Sequence, residues 1–279
     1  MCHVTDADHF TGDGPAKQPG PVFGHEEFWR KAYAQHGRQF DAVDDLVRLG
    51  DEMAKAADEK ADESVKKVIC ALTRATISGA CEAVVLCGNG LGPGAMKIVR
   101  GMYESRWTAE YLRRHPGEVE DYLEFSKVLR WRRIRWLVEN RPSEASALPP
   151  NVRKQVEEDY NQAKARFTNA GGRVRDRWHK KPIRQIAEDI GGEKEYELPY
   201  TIACSIHHGN FEGLSAAFSL KDGVIVPDPP PSVSWVEKAL VAARTNLWFA
   251  LNTLNDACAL SFADKLNMAP PDSSEGLKE

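Results

Sequence analysis

Hydrophobic residues recur at steps of three and four along most of this chain, which is the period of an amphipathic α-helix. Between residues 41 and 60, for example, Val43, Leu46, Val47 and Met53 fall on one side of a helix whose other side is acidic. The pattern predicts helices beginning near residue 25 and over about 41–60, 62–86, 95–114, 118–139, 151–169, 183–190, 196–208 and 232–266. We therefore expect an all-α fold, a single helical-bundle domain of about seven to nine helices.

Two short segments depart from the helical period. Residues 218–226 are rich in β-formers and contain Asp222-Gly223, a pair favoured in two-residue turns, so they predict one small β-hairpin. Residues 88–94 hold four glycines but lack the Gly-Lys-Ser/Thr ending of a phosphate loop. We interpret them as a turn between two helices.

The two ends of the chain are polar and show no periodicity. We expect disordered tails at residues 1–21 and 267–279, on either side of a helical domain at 22–266. The N-terminal segment has no apolar signal core, and the most apolar segment, 68–87, is interrupted by two charged residues. The six cysteines form neither a disulfide framework nor a zinc-ligand spacing. We therefore expect a cytoplasmic protein without membrane attachment.

A stripe of titratable side chains is the clearest candidate for chemistry. Tyr196, Tyr200, Cys204 and His208 follow one another at steps of four, so on a helix they share one side. Buried stripes usually consist of Leu, Ile and Val. A titratable stripe therefore indicates either a polar pocket or a buried hydrogen-bond network.

Two adjacent histidines end this stripe. Neighbours on a helix point about 100° apart, so His207 and His208 cannot share a face. We expect one ring to point inward and the other to lie near solvent. Gly209-Asn210 predicts a bend or a helix end directly after His208, which would leave that ring near the mouth of a cavity.

The fourth predicted helix holds a second polar group. Arg100 and Glu104 lie one turn apart, and Trp107 continues the same side. The third predicted helix places two more charges, Arg74 and Glu82, in apolar surroundings. Because buried charges need partners, we expect these four charged residues to share one interior network.

These motifs resemble a known family. The resemblance rests on two groups of residues: Arg100, Glu104, Tyr111, Leu112 and Pro116, then Trp178, Ile183, Ala187, Gly191, Tyr196, Tyr200 and His208. Over residues 60–262 the chain is similar to bacterial helical proteins catalogued as domain of unknown function 5677. The resemblance implies an all-helical fold with a polar centre, and the family brings no established activity.

The resemblance also bears on the titratable stripe. Family members show Tyr, Ser and His at steps of four, where this chain has Tyr200, Cys204 and His208; Cys204 departs from the pattern unless Ser205 takes that part. Such proteins are more loosely similar to abortive-infection and HEPN-type toxins, many of which are metal-independent ribonucleases. In that chemistry a His transfers the proton at the 2′-hydroxyl or leaving oxygen, and an Arg stabilises the phosphate.

The charge distribution is uneven. Lys and Arg number 37 and Asp and Glu 41, and the net charge of −4 argues against bulk wrapping of nucleic acid. Basic residues nevertheless concentrate at 126–141 and 173–184, and acidic ones at 41–63. The basic segments predict a surface for RNA, or they complement the acidic segment within the fold or across a homodimer. Trp131 and Trp136 interleave with arginines, which suits stacking on bases and equally suits a core helix with snorkelling arginines.

Metal and thiol chemistry have less support. His207, His208 and Glu212 could hold one metal with help from elsewhere, and Cys204 with His208 could form a nucleophilic dyad. No histidine has a Glu three residues before it, as a di-iron bundle requires. We therefore expect no metal and no cofactor.

Two functions stay open from the sequence. One is a metal-independent endoribonuclease of a defence or stress setting, with His208, Arg100, Glu104 and Tyr200 as the catalytic group. The other is a non-catalytic scaffold or sensor that binds a partner protein or a small ligand. An enzyme needs Arg100 and His208 on an open cleft, whereas a scaffold needs them sealed and hydrogen-bonded. The expected binding residues are Tyr196, Cys204, Ser205, His207, Arg173, Arg175, Arg177, Lys180 and Lys181.

Overall fold

The computed structural model describes residues 26–221, 224–228 and 231–270, and helices dominate this part of the chain. The expected tail at 1–21 and most of the one at 267–279 lie outside the described residues. In chain order the elements are α1 (Glu26–Asp58), α2 (Ser64–Gly88), α3 (Gly92–Arg114), α4 (Val119–Asn140), α5 (Pro142–Ala145), α6 (Pro150–Phe167), α7 (Ile183–Asp189), α8 (Glu193–Glu195), α9 (Thr201–His208), α10 (Phe211–Leu214), β1 (Phe218–Lys221), β2 (Val224–Pro227), α11 (Val236–Ala257) and α12 (Ala263–Asn267). The all-α prediction is confirmed.

Four long helices form the main core. α2 and α3 pack along each other, α11 packs against both, and α1 packs against α2 and α11. Leu46, Ile69, Trp107 and Leu251 are among the large side chains that this packing buries completely. α3 also contacts α9, so one side of α3 belongs to the core and another meets the titratable stripe.

The glycine-rich segment between α2 and α3 is a helix–helix turn, as expected. Gly90 has a φ of +68°, in the left-handed region that favours glycine. A Cβ on Gly92 would lie 2.4 Å from the backbone oxygen of Ser234. The chain just before α11 therefore passes directly against this turn, which ties the start of α11 to the start of α3.

α2 is, by length and composition, apolar enough to cross a membrane. Half of the residues in its most apolar stretch are buried inside the fold. A buried core helix can have the same length and composition as a membrane-spanning one.

α4 and α6 form a separate helical hairpin, which we call the arm (residues 119–167). The arm has its own small hydrophobic cluster, made by Phe125, Val128, Ala163 and Phe167. Trp178 packs at the edge of this cluster and of the main core. A third cluster joins the start of the arm to the core, with Val119 of α4 packed against Val68 of α2 and Leu112 of α3.

The two helices expected before residue 60 lie within α1, on either side of a kink at His36, whose backbone is not helical. One predicted boundary was wrong. The long final helix, expected to run to residue 266, ends at Ala257 because Ala259 takes a positive φ of 46°. The Asn255 side chain then accepts a hydrogen bond from the backbone N–H of Phe262 at 3.1 Å, which supports the turn into α12.

The predicted β-hairpin is present. β1 and β2 pair antiparallel, with Phe218 opposite Pro227 and Lys221 opposite Val224. The turn residues Asp222 and Gly223 lie outside the described part of the chain.

Candidate functional site

Four side chains form a hydrogen-bonded ladder: Arg100 and Glu104 of α3, Tyr200 directly before α9, and Cys204 of α9. The Tyr200 hydroxyl donates to Oε1 of Glu104 at 2.6 Å, and Nη2 of Arg100 lies 2.7 Å from the same oxygen. One turn further along α9, the Cys204 sulfur accepts from Nε of Arg100 at 3.3 Å. As the chain advances from Tyr200, directly before α9, to Cys204 within it, the partners on α3 move back from Glu104 to Arg100. The two helices therefore run antiparallel here, and the predicted Arg/Glu/Tyr centre is brought together.

Aromatic rings enclose the inner end of the ladder. The Tyr200 ring lies 4.9 Å from that of Trp107 and 5.1 Å from that of Tyr196. Burial and the hydrogen bond to Glu104 raise the pKa of Tyr200, so its hydroxyl acts as a donor and not as a base. Burial lowers the pKa of Arg100, but Cys204 and Glu104 outweigh this effect, and the net shift is upward. The guanidinium is therefore a permanent charge.

The two histidines lie at the outer end of the ladder. α9 ends directly after His208 because Gly209 is left-handed, with a φ of 63°. We expected one ring to point inward, but both are exposed, and their centroids are 5.0 Å apart. Within the described chain, no hydrogen bond joins the His208 side chain to Arg100, Glu104 or Tyr200. His208 is thus not part of the ladder.

A surface depression of about 350 Å³ adjoins the ladder between α2, α3 and α9. Its lining includes three basic side chains, Lys97, Arg100 and His207, with Ser105 and Glu82. Arg100 is 23% exposed although it contacts both Glu104 and Cys204, so it belongs to the ladder and to the depression. The structure thus brings Arg100 together with His207, where the sequence pointed to His208.

The expected interior network of four charges was wrong. Arg74 is 44% exposed and binds Asp58 of α1 at 2.7 Å. Glu82 is exposed and accepts from the Ser78 hydroxyl at 3.1 Å. Both charges lie at the surface: Arg74 faces α1, and Glu82 borders the depression.

The sequence model of one family matches residues 66–225, which is more than half of the chain. That family is described as a family of unknown function, DUF5677. This chain belongs to it. Comparison with curated proteins and with solved structures found no match.

The part of the chain that matches DUF5677 contains both sides of the ladder. It extends from the first turn of α2 to β2, so it includes Arg100, Glu104, Tyr200 and Cys204. α1 and α11, which complete the main core, lie outside the match. The family-matched segment therefore carries the candidate site but only half of the core helices around it.

Ser205 has a structural connection to the segment after α9. Its hydroxyl donates to Glu212 at 2.8 Å and accepts from the Asn210 side chain at 3.2 Å. Asn210 in turn accepts from the backbone N–H of Gly213 and caps α10. Ser205 and Glu212 are thus engaged with each other. Among the described residues no group of three His, Cys, Asp or Glu side chains could hold a metal ion.

The second basic segment does not border the depression. Arg173 binds Asp176, Arg175 stacks over the Phe167 ring, and Lys181 binds Asp189. Arg177 and Lys180 are exposed. None of these five lines the depression, so their expected role as its basic rim has no geometric support.

His179, in the same segment, is buried in a network of its own. Its Nδ1 accepts from the backbone N–H of Lys181 at 2.9 Å, so in the neutral ring the proton sits on Nε2. Nε2 lies 2.7 Å from Glu118, and the Tyr111 hydroxyl donates to the same carboxylate at 3.0 Å. These bonds connect the segment after the arm to the end of α3.

Arg106 is the most deeply buried charged side chain among the described residues, and the sequence did not point to it. Its Nε donates to the Asn246 side chain at 2.7 Å, and its guanidinium lies 4.6 Å from the Phe249 ring centroid. Burial lowers the pKa of Arg106, and Glu195, 3.6 Å away, is its nearest carboxylate. The sequence feature that could have pointed to Arg106 is its partner Asn246, a polar residue within the apolar run of α11. It indicated a buried polar partner elsewhere in the chain.

Proposed function

We propose that this protein is a metal-independent endoribonuclease of a bacterial defence or stress setting, with its phosphate site in the depression between α2, α3 and α9. One observation carries the proposal: Lys97, Arg100 and His207 line the same surface depression. Such a cluster offers positive charge for a phosphate and a ring that can transfer a proton at neutral pH.

Arg100 is the residue that would stabilise the charged phosphate. Two of its N–H groups are engaged, one with Glu104 and one with Cys204, which leaves three donors for a ligand. Because Glu104 is also held by Tyr200, the guanidinium is fixed before any substrate arrives. Lys97 is exposed beside it, and no other described side chain binds its ammonium group.

His207 is the residue that would move the proton. In the proposed reaction the 2′-oxygen of RNA attacks the adjacent phosphorus as His207 takes its proton. The bond to the 5′-oxygen breaks as that oxygen takes a proton from solvent water, and His207 afterwards returns its proton to solvent. The products are a 2′,3′-cyclic phosphate and a 5′-hydroxyl. The basic side chains supply the positive charge that the transition state needs, so the reaction needs no metal.

One observation favours the second function, a non-catalytic binding module. Glu104 binds both Arg100 and Tyr200 and offsets the charge of Arg100, as in a network that only stabilises a fold. Under this alternative the depression binds a small anion or a partner protein without cleaving it.

The deciding experiment measures cleavage of single-stranded RNA and growth of cells that express the protein. We expect His207→Ala to lower the cleavage rate by about 10²- to 10⁴-fold, the usual contribution of a general acid or base. Arg100→Lys, which keeps the charge and loses the planar fork, is expected to lower it as well. His36→Ala on α1 is the matched control, and His208→Ala tests the residue that the sequence indicated.

The result also separates the two functions. A wild-type protein that neither cleaves RNA nor slows growth would leave the binding module as the better proposal. Cleavage that EDTA abolishes would contradict the metal-independent mechanism. Loss of activity in His208→Ala alone would assign the proton transfer to His208.

A further inference from the structure

A second concave site lies on the arm, away from the ladder. It is a groove of about 460 Å³ between α4 and α6, beside the short connection that holds α5. This volume lies in the range of ligand pockets. Its half-buried lining is apolar and is made by Trp131, Ile134 and Val138. Its exposed lining includes three basic side chains, Arg135, Arg153 and Lys154, and two acidic ones, Glu139 and Glu157.

The basic side chains of the groove are only partly neutralised. Arg135 binds Glu139 at 2.7 Å, and Lys154 lies 3.6 Å from Glu158, both within their own helices and largely exposed. Exposed pairs of this kind contribute little and exchange readily for a better partner. The Arg153 side chain has no hydrogen bond or ion pair to another residue of the described chain.

Charge is strongly concentrated in this part of the molecule. Residues 127–157, which include all lining residues of the groove, carry eight Lys and Arg against three acids, a net charge of +5. The whole chain has a net charge of −4. A basic end on an acidic protein attracts polyanions locally, and the attraction does not extend to the rest of the surface.

Aromatic side chains accompany this charge. The Trp131 ring stacks on that of Tyr160, with centroids 5.4 Å apart and planes inclined by 18°, which holds the indole in a fixed orientation at the groove. Trp136, a turn and a half further along α4, is 56% exposed. Arg130 and Arg133 lie on the same exposed stretch of α4. Stacking rings among arginines are the means by which proteins bind unpaired bases.

We infer that the groove of the arm binds single-stranded RNA, with a base against Trp131 and phosphates on Arg153 and Lys154. The inference rests on the proposed function only for the choice of RNA as the polyanion. A base must be unpaired to enter a groove between two helices, so duplex RNA fits poorly. The arm would hold a substrate strand that the depression cleaves elsewhere along its length.

The test measures binding separately from cleavage. A fluorescent 2′-O-methyl oligouridylate of about 12 nucleotides lacks the free 2′-hydroxyl and stays intact, and its binding to the full chain is followed by anisotropy at several salt concentrations. In Arg153→Glu/Lys154→Glu we expect at least about tenfold weaker binding, and a salt dependence less steep by about 1.4 in logarithmic slope, since each phosphate contact to a single strand contributes about 0.7. Arg48→Glu/Lys55→Glu, an equal charge change on exposed residues of α1, is expected to bind as the wild type does.

The aromatic part of the inference has its own variants. Trp131→Ala is expected to weaken binding about 5- to 150-fold, the effect of losing one stacked base, and Trp131→Phe is expected to retain part of it. Circular dichroism checks that each variant is folded. The Arg153/Lys154 variant changes only exposed side chains and stands as an independent test if Trp131→Ala unfolds.

Several outcomes would overturn the inference. They are binding unchanged in the Arg153/Lys154 variant, equal loss in the α1 control, duplex RNA bound as tightly as the single strand, or polyglutamate competing as well as RNA. The proposed function fails independently: a wild type that binds the oligonucleotide through the arm but cleaves no RNA would disprove the ribonuclease and leave the arm site standing. If the wild type cleaves RNA but the arm variants bind the oligonucleotide as tightly as the wild type does, the arm site is disproved and the ribonuclease proposal stands.

Discussion

Two arginines in α3 show how burial separates a structural charge from an available one. Arg106 has 6% of its side chain exposed, and it is held by Asn246 and by surrounding rings. Arg100 has 23% exposed and lines a depression that water can enter. A ligand can therefore reach Arg100 without unfolding the helix, whereas Arg106 can serve only the fold.

Glu110 connects α3 to α11 and gives the molecule a predictable response to acid. It accepts from Nε of Arg113 at 2.7 Å, from Nε of Arg114 at 2.6 Å and from the Thr253 hydroxyl at 3.1 Å. Burial raises the pKa of Glu110, but the hydrogen bonds from the two arginines outweigh burial and leave it below its ordinary value of 4.5. A carboxyl group whose pKa is lower in the folded than in the unfolded protein stabilises the fold at pH values above its pKa in the unfolded protein. This stabilisation is lost as the pH falls through its pKa in the folded protein.

We expect Glu110→Gln to lower the free energy of unfolding by about 1–3 kcal/mol at pH 7, because charge-assisted hydrogen bonds are lost. As the pH falls from the ordinary value of 4.5 through the lower pKa of the folded wild-type carboxyl, that group becomes protonated, so the difference between the two proteins should shrink. Urea unfolding at a series of pH values measures both effects. Glu120→Gln, at an exposed position of α4, is the control, and a Glu110→Gln effect that stays constant with pH would contradict the prediction.

At the scale of elements, the segment before α9 shows how one residue sets the side that a helix presents. Pro199 lies inside the helical run and has no N–H to donate, and Tyr196–Tyr200 forms a single π turn around it. The wider turn absorbs the missing hydrogen bond without ending the helix. Tyr196 and Tyr200 then both meet Trp107, and Cys204 comes to face Arg100.

The packing of α10 on α9 depends on a glycine. A Cβ on Gly213 would lie 2.0 Å from the backbone oxygen of Ser205, in a helix that is anchored to α3. We expect Gly213→Ala to lower the free energy of unfolding by about 1–3 kcal/mol or to detach α10 from α9. Hydrogen exchange should become faster only in residues 205–217. Gly117→Ala, where a Cβ would meet nothing within 4 Å, should change stability by less than about 0.5 kcal/mol. Unchanged exchange in Gly213→Ala would show that the two helices are not packed this closely.

At the scale of the whole molecule, the main core and the arm are stabilised by separate hydrophobic clusters. Four long helices share the first, whereas the second is made by four buried side chains of the described chain. The arm also carries the basic segment, so the part with the smaller core is the part proposed to bind RNA. Low local stability is common in elements that bind ligands.

We therefore expect amides of α6 to exchange with solvent faster than those of α2, α3 and α11. Phe167→Ala, in the arm cluster, should lower the free energy of unfolding of the arm by about 3–5 kcal/mol. Amide exchange should then become faster in the arm while the main core stays protected. Leu251→Ala, a comparable cavity in the main core, should speed exchange in both parts. Hydrogen exchange followed by mass spectrometry measures this, and equal acceleration everywhere in both variants would mean that the two clusters unfold as one unit.

Much of the fold follows from local pattern. The period of Val43, Leu46 and Met53 in α1 reflects which residues are three and four positions apart, and that relation holds whatever the rest of the chain does. The Asp222-Gly223 pair likewise predicts the pairing of Phe218 with Pro227 through turn geometry alone. Arg100 with Glu104, and Tyr200 with Cys204, are one-turn neighbours in sequence, so each half of the ladder was predictable as well.

What only the tertiary structure decided is which sides of the helices meet. The Arg100–Cys204 and Tyr200–Glu104 bonds join residues about a hundred positions apart, and their formation depends on how α9 lies across α3. The same placement puts His207 beside Arg100 and leaves His208 outside the ladder. Periodicity specifies a helix and its apolar side. The partner of each polar side chain is settled by distant segments, because burial and hydrogen bonding depend on everything that packs around them.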